Sequence, residues 1–279
     1  MIALPLLAQG DLAAGLGADF YIVLAFAAVC LPVFARMASA LARGEGRVNS
    51  RAYGMPDLLF VLVLAGWAGL TAITVLRNGG ENQPMTLQGI YESALMFAIV
   101  VGCIGLFLWY RNLSIARLFG LERPDWLQLL GKSVLWLLAA YPLILLTMQT
   151  TQLVLGGEAA PQKIVEFFSE ALQEGRSAEV IATVLTAGLI APVVEEFIFR
   201  GYFYGTFRRY LGPWGAMVVT SLLFAVIHLN LLALPSLFVL AICFTLAYEA
   251  TGSLWVPIVM HAIFNATNLT FVLFSAGTP

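Results

Sequence analysis

The sequence predicts an all-α fold, a polytopic transmembrane helix bundle of about eight membrane helices. Three observations predict it. Of 279 residues, 61% are hydrophobic and only 11% are charged, against about 25% charged in a soluble domain. The apolar residues fall in runs near the roughly 20 residues that an α-helix needs to cross a bilayer core. The basic residues gather between alternate runs, as cytosolic loops do.

The expected segments lie near 19–40, 56–76, 91–110, 133–155, 179–206, 213–233, 235–250 and 253–274. The seventh is short, and the Leu231–Pro235 link before it is apolar. Segments six and seven are therefore expected as a hairpin that crosses incompletely. Arg36, Arg43, Arg47 and Arg51 follow the first segment, and Arg111, Arg117, Arg123 and Lys132 follow the third. Arg200, Arg208 and Arg209 belong to the late fifth segment and its end, leaving only Arg77, Lys163 and Arg176 for the opposite side. This asymmetry puts the basic loops in the cytosol and both termini outside it.

Smaller features are read the same way. The apolar stretch Ile2–Ala8 has no Lys or Arg before it, so no secretory signal is expected there. The polar loop 156–177 joins an N-terminal unit, 1–155, to a second unit, 178–274. Within it, Ile164, Val165, Phe167, Phe168, Ala171 and Leu172 recur at helical spacing. They predict a short amphipathic helix, lying on the interface or capping the bundle mouth. Trp109, Tyr110, Trp126, Trp214 and Trp255 fall near segment ends, as an aromatic belt would. Cys30, Cys103 and Cys243 sit in apolar runs at no metal-like spacing and read as packing residues. A net charge of −2 offers no basic field for nucleic acid.

The first four segments carry little chemistry. The later ones hold ionisable residues that cost at least about 2.5–3.5 kcal/mol each at a membrane helix centre. Segment five contains Glu195, Glu196 and Arg200. Residues four apart share a helix face, so Glu196 and Arg200 pair. Glu195 is turned by about 100° and stays outside that pair, which makes it a candidate general base. The two histidines of the chain, His228 and His261, also lie in apolar segments. Phe224 precedes His228 by one turn, and Asn265 follows His261 by one turn. An imidazole ligates metals or moves protons near neutral pH, and an amide can hold a water or an oxyanion. Each alone has a structural reading as interhelical glue. Together in three segments they point to one shared site. Counting from segment ends puts the two histidines at different depths, so convergence requires tilt, stagger or an intramembrane hairpin.

Glu-Glu-x-x-x-Arg over 195–200, Phe-x-x-x-His over 224–228 and His-x-x-x-Asn over 261–265 resemble, in this order, the CPBP family. Its members are type II C-a-a-X prenyl endopeptidase-like, ABI-domain intramembrane proteases. Arg200-Gly-Tyr and Thr251-Gly-Ser-Leu-Trp add to the resemblance, which covers about 178–270. It implies an all-α catalytic core around a polar cavity. Glu195 is then the base for a water held by His228 and His261, assisted by Asn265, with Glu196, Arg200 and Phe224 in support. Glu195, His228 and His261 are also a ligand set for a divalent metal, zinc first; a metal-free, Glu-activated water is the other form of the same chemistry. The implied partners are the lipid bilayer and a peptide or protein substrate, lipidated or not. A non-catalytic scaffold or immunity protein on the same fold, and a proton-coupled transporter, are the competing readings. No Gly-x-Ser-x-Gly or His-Glu-x-x-His occurs, which disfavours serine and zincin-type proteases.

Overall fold

The computed structural model describes residues 17–78, 85–122, 125–156 and 163–276. The Ile2–Ala8 stretch and Arg123 lie outside them. The described residues form helices joined by short connections. They are α1 (Ala18–Ala42), α2 (Met55–Arg77), α3 (Leu87–Tyr110), α4 (Ile115–Leu118), α5 (Trp126–Leu155) and α6 (Lys163–Gln173). A long run follows: α7 (Ser177–Leu185), a first π segment (Thr186–Ile190), α8 (Ala191–Glu196), a second π segment (Phe197–Tyr204) and α9 (Gly205–Val226). The chain closes with α10 (Leu234–Thr251) and α11 (Trp255–Ala276).

Polar residues mark where these apolar runs start and stop. The Asp57 carboxylate accepts the Gly54 N–H at 2.6 Å at the start of α2. The Thr86 hydroxyl accepts the Gly89 N–H to open α3, and Asp125 accepts the Gln128 N–H to open α5. Such side chains satisfy N–H groups that a helix end leaves without a partner. Gly252 closes α10 in the left-handed conformation, φ 70°, which a glycine adopts without penalty.

Among the described residues, seven helices are long and apolar enough to cross a membrane, the fifth being Ser177–Val226. That fifth helix holds two of the eight expected segments. Gly212 breaks it with φ 69°, ψ 176°, and Pro213 follows. The Phe199 and Phe224 rings are 5.4 Å apart, whereas a straight helix would separate them by roughly 37 Å. The chain therefore folds back at Gly212. The returning limb, Pro213 to Val226, is only about 21 Å long at about 1.5 Å per residue. The short limb is thus the sixth expected segment, and the turn at Gly212 lies between segments five and six, whereas the sequence predicts an incomplete hairpin of segments six and seven joined at 231–235. The expected end at 233 is corrected to Val226. Leu229 turns left-handed, φ 52°, and the Asn230 side chain accepts the Ala233 N–H at 3.0 Å to begin the next helix.

The connections gather at two ends. At the basic end, the Arg47 N–H donates to the Glu249 carbonyl at 3.0 Å, and the Leu254 N–H donates to the Phe119 carbonyl at 2.9 Å. The Trp255 indole donates to the Leu121 carbonyl, and Arg208 donates to Ser50. At the far end lies α6, whose Phe168 packs with Ala187 and Leu269. The amphipathic helix thus caps the bundle. The outer faces of α1 to α3 expose Val29, Leu59, Val63, Leu70, Leu95 and Leu106. Apolar side chains facing outward along whole helices are what lipid, as solvent, permits.

Candidate active site

The Glu195–Glu196 pair ends α8, between the two π segments. A π segment bonds i→i+5 instead of i→i+4, which re-phases the face that each side chain presents. Glu196 turns inward and is 0% exposed. Arg200, 1% exposed, donates Nη1 to Glu196 Oε1 at 2.8 Å. The Arg200 guanidinium also lies 4.4 Å from the Phe224 ring centre and 5.2 Å from that of Phe244. A buried cation here has a carboxylate and two aromatic faces in place of water. This is the pair expected from the four-residue spacing.

Glu195 faces a different way, into a cavity of about 240 Å³ that His228, His261, Asn265 and Phe224 also line. All four candidate catalytic residues therefore share one space. Glu195 Oε2 is buried with no hydrogen-bond partner in the protein and lies 3.9 Å from His261 Nε2.

The hydrogen bonds determine the imidazole tautomers. His228 Nδ1 is 2.7 Å from the Phe224 carbonyl oxygen, an atom that can only accept, so Nδ1 carries the proton. His261 Nδ1 is 2.9 Å from Glu196 Oε1, again an acceptor. In the neutral imidazole, each Nε2 is then the lone pair. Asn265 Nδ2 donates to the Ala187 carbonyl at 2.8 Å, within the first π segment, which leaves its second N–H uncommitted.

Convergence of the two histidines is explained by the hairpin. The return at Gly212 brings Phe224 level with Arg200, and His228 sits in the turn just past the end of α9. The Phe224 ring is 4.8 Å from that of His228 and 6.0 Å from that of His261.

Spacing alone missed several contributors. Glu196 orients His261 as well as pairing with Arg200. The first half, which offers little chemistry by sequence, supplies cavity walls through Met85, Ile90, Ser93 and Phe97. Phe97 also borders a second, almost wholly apolar cavity of about 290 Å³ between α2, α3 and α9. Toward the basic end, the Tyr53 hydroxyl donates to the Gly201 carbonyl at 2.7 Å. Buried Glu249 accepts from the Tyr204 hydroxyl at 2.5 Å and from Arg208 Nε at 2.6 Å. Buried Asp57 is ion-paired with Arg111. Glu249 falls near a helix end, where a charge ordinarily signals solvent, so sequence did not mark it as buried.

Two Nε2 lone pairs and a carboxylate suit zinc by chemical type. As arranged, however, no group of three His, Cys, Asp or Glu side chains among the described residues is placed to hold a metal ion.

Residues 177–267, which contain Glu195, His228, His261 and Asn265, match the family described as type II CAAX prenyl endopeptidase, Rce1-like. An uncharacterized 24.3 kDa protein of Escherichia coli is 30% identical over 77% of this chain and 96% of its own. The putative membrane peptidase YdiL of Bacillus subtilis (strain 168) is 28% identical over 32% of this chain and 35% of its own. The membrane-embedded CAAX protease MroQ of Staphylococcus aureus (strain USA300) is 26% identical over 50% of this chain and 58% of its own. No solved structure matches the chain. The ordered motifs, the cavity they share and these similarities agree: the chain belongs to the Rce1-like family of type II CAAX prenyl endopeptidases.

Proposed function

We propose that the protein is an intramembrane endopeptidase that hydrolyses a peptide bond with a water activated by Glu195. The observation that carries this is the 3.9 Å gap between Glu195 Oε2 and His261 Nε2. A carboxylate and an imidazole lone pair both accept, so they cannot bond each other. A water at about 2.8 Å from each would donate one proton to each, with an angle of roughly 90° between the two donations. Its oxygen lone pair is then free to attack.

Glu195 takes the proton as the water oxygen bonds the scissile carbonyl carbon. Asn265 offers its second N–H to the developing oxyanion. The C–N bond then breaks, and Glu195 returns the proton to the leaving amine. Glu196, neutralised by Arg200, holds His261 in the tautomer that accepts from the water. His228 presents the second lone pair in the same cavity. No step runs through a metal, because the donors as arranged do not form a three-ligand group.

The substrate is a membrane-associated peptide or protein. The test is cleavage by the purified protein of a farnesylated C-a-a-X peptide beside an unprenylated peptide pool, read by mass spectrometry. Glu195→Gln should lose about 10²–10⁴-fold in kcat. Its thermal midpoint should not fall, since Oε2 has no partner to lose. Equal cleavage by both proteins would remove Glu195 from the mechanism.

A further inference from the structure

We propose that Glu249 is a positioning residue of the catalytic centre: through the Tyr204 hydroxyl it fixes the rotational phase of the second π segment, and so the reach of Arg200 to Glu196. That the consequence is catalytic rests on the endopeptidase reading; the positioning itself does not.

The second π segment needs a hold. Its i→i+5 pattern is rare, and the ordinary α ladder is the alternative open to the same residues. Closing to that ladder would turn the residues beyond it by about 100°. Arg200 lies in the middle of this segment and Tyr204 at its end. Tyr204 is fully buried, and its hydroxyl donates to Glu249 Oε1 at 2.5 Å. One turn on, Arg208 Nε donates to the same oxygen at 2.6 Å. The other oxygen, Oε2, accepts the Val48 N–H at 3.3 Å. A buried carboxylate with three donors, standing on a different helix, is a fixed point. A change of register by one residue would carry the Tyr204 hydroxyl away from it, so this bond opposes the change.

Glu249 is remote from the chemistry. Arg200 Nη2 meets α10 at the Ala241 carbonyl, at 3.4 Å. That is eight residues before Glu249 and so about 12 Å along the helix. What Glu249 controls reaches the cavity through one atom. Glu196 Oε1 accepts from Arg200 at 2.8 Å and from His261 Nδ1 at 2.9 Å. Moving Arg200 off that oxygen leaves a buried carboxylate without its cation beside His261, whose Nε2 lies 3.9 Å from Glu195 Oε2. Arg208 alone would complete a structural ion pair with Glu249. The Tyr204 bond is what ties Glu249 to the segment bearing Arg200. From the α1–α2 connection, the Tyr53 hydroxyl holds the same segment at the Gly201 carbonyl, at 2.7 Å.

The test uses the full chain in mild detergent and two variants. Tyr204→Phe removes only the hydroxyl, and Glu249→Gln keeps an acceptor oxygen for it. Among the described residues the Tyr204 hydroxyl and the Arg200 guanidinium share no partner. If they act independently, their effects on the unfolding equilibrium constant multiply to within about twofold. The expected result is that Arg200→Met costs about tenfold less in the Tyr204→Phe background than in the wild type, the scale of one hydrogen bond to a charged group. On the peptide that the wild type cleaves, Tyr204→Phe should lower kcat by about tenfold on the same scale, with KM unchanged, while Glu249→Gln keeps most of the kcat. A lower folded fraction alone would not move kcat per folded molecule. Unfolding effects that multiply to within twofold would overturn the proposal, and so would a Tyr204→Phe enzyme with the wild-type kcat. The expected coupling in a protein that cleaves nothing would remove the endopeptidase reading and keep the positioning. No coupling, beside cleavage that depends on Glu195, would do the reverse.

Discussion

Arg200→Met tests the centre of the site through its energetics. Arg200 and Glu196 are 1% and 0% exposed and joined at 2.8 Å. Removing the guanidinium leaves a carboxylate in a dry interior with only the His261 N–H for a partner. Breaking one side of such a pair costs about 3–5 kcal/mol. The two cation–π contacts at 4.4 and 5.2 Å add up to about 2 kcal/mol when desolvated. Against a total stability of about 5–15 kcal/mol, that is a large fraction. The double variant Glu196→Gln, Arg200→Met leaves no charge behind, and Gln still accepts from His261 through its amide oxygen. It should be more stable than Arg200→Met alone, with a coupling of about 2 kcal/mol or more. Reversible unfolding in a constant mild detergent, followed by circular dichroism, measures all four proteins of the cycle. A cost below about 1 kcal/mol for Arg200→Met, or strict additivity in the double variant, would refute the reasoning.

Three further outcomes are expected. A Cβ on Gly205 would lie 2.5 Å from the Tyr53 ring, so Gly205→Ala should lose about 1–3 kcal/mol by overpacking, while Tyr53→Phe, which keeps the ring, should lose about 1 kcal/mol with the hydroxyl; the same unfolding assay checks both. Asn265→Leu should lower kcat by roughly 10²-fold, the scale of one oxyanion donor, with KM little changed, as steady-state kinetics would show. Because no three donors among the described residues are grouped for a metal, activity should survive EDTA and 1,10-phenanthroline; loss on chelation and recovery with zinc would mean that Glu195, His228 and His261 rearrange around an ion.

What could be read from the sequence depended on how local its cause was. The Glu196–Arg200 pair follows from four-residue spacing on one helix, and it is present. The separate direction of Glu195 follows from the same helical rotation. His228 and His261 stood out because an ionisable group in an apolar run needs a reason. The membrane segments were legible from length and hydropathy, but the sequence marks the seventh as the short one, whereas the shortened limb is the sixth, which ends at Val226. Contacts between distant parts of the chain were not. Nothing near Tyr53 in the sequence announces that its hydroxyl meets the Gly201 carbonyl, and nothing near Glu196 that it also meets His261. By sequence position Arg200 belongs with the loop charges that set orientation, yet it is buried and paired with Glu196, so it carries no weight there. The π segments escaped because apolar periodicity cannot distinguish one extra residue per hydrogen-bonded ring from a slightly different helix face.

That extra residue makes chain length itself a determinant of the site. Between Ser177 and Gly212 the backbone has two places where deleting one residue lets the hydrogen-bond ladder close as ordinary α-helix. Each such deletion would rotate everything beyond it by about 100°. A loss within Thr186–Ile190 would turn Glu195 away from Asn265 and the carbonyl that holds it; a loss within Phe197–Tyr204 would separate Arg200 from Glu196 or Tyr204 from Glu249. No side chain of the site need change for its chemistry to vanish. Insertions and deletions in this stretch are therefore a form of damage that substitution scanning cannot reveal, and the spacing from Glu195 to the Gly212 turn constrains the enzyme as firmly as any of its polar residues.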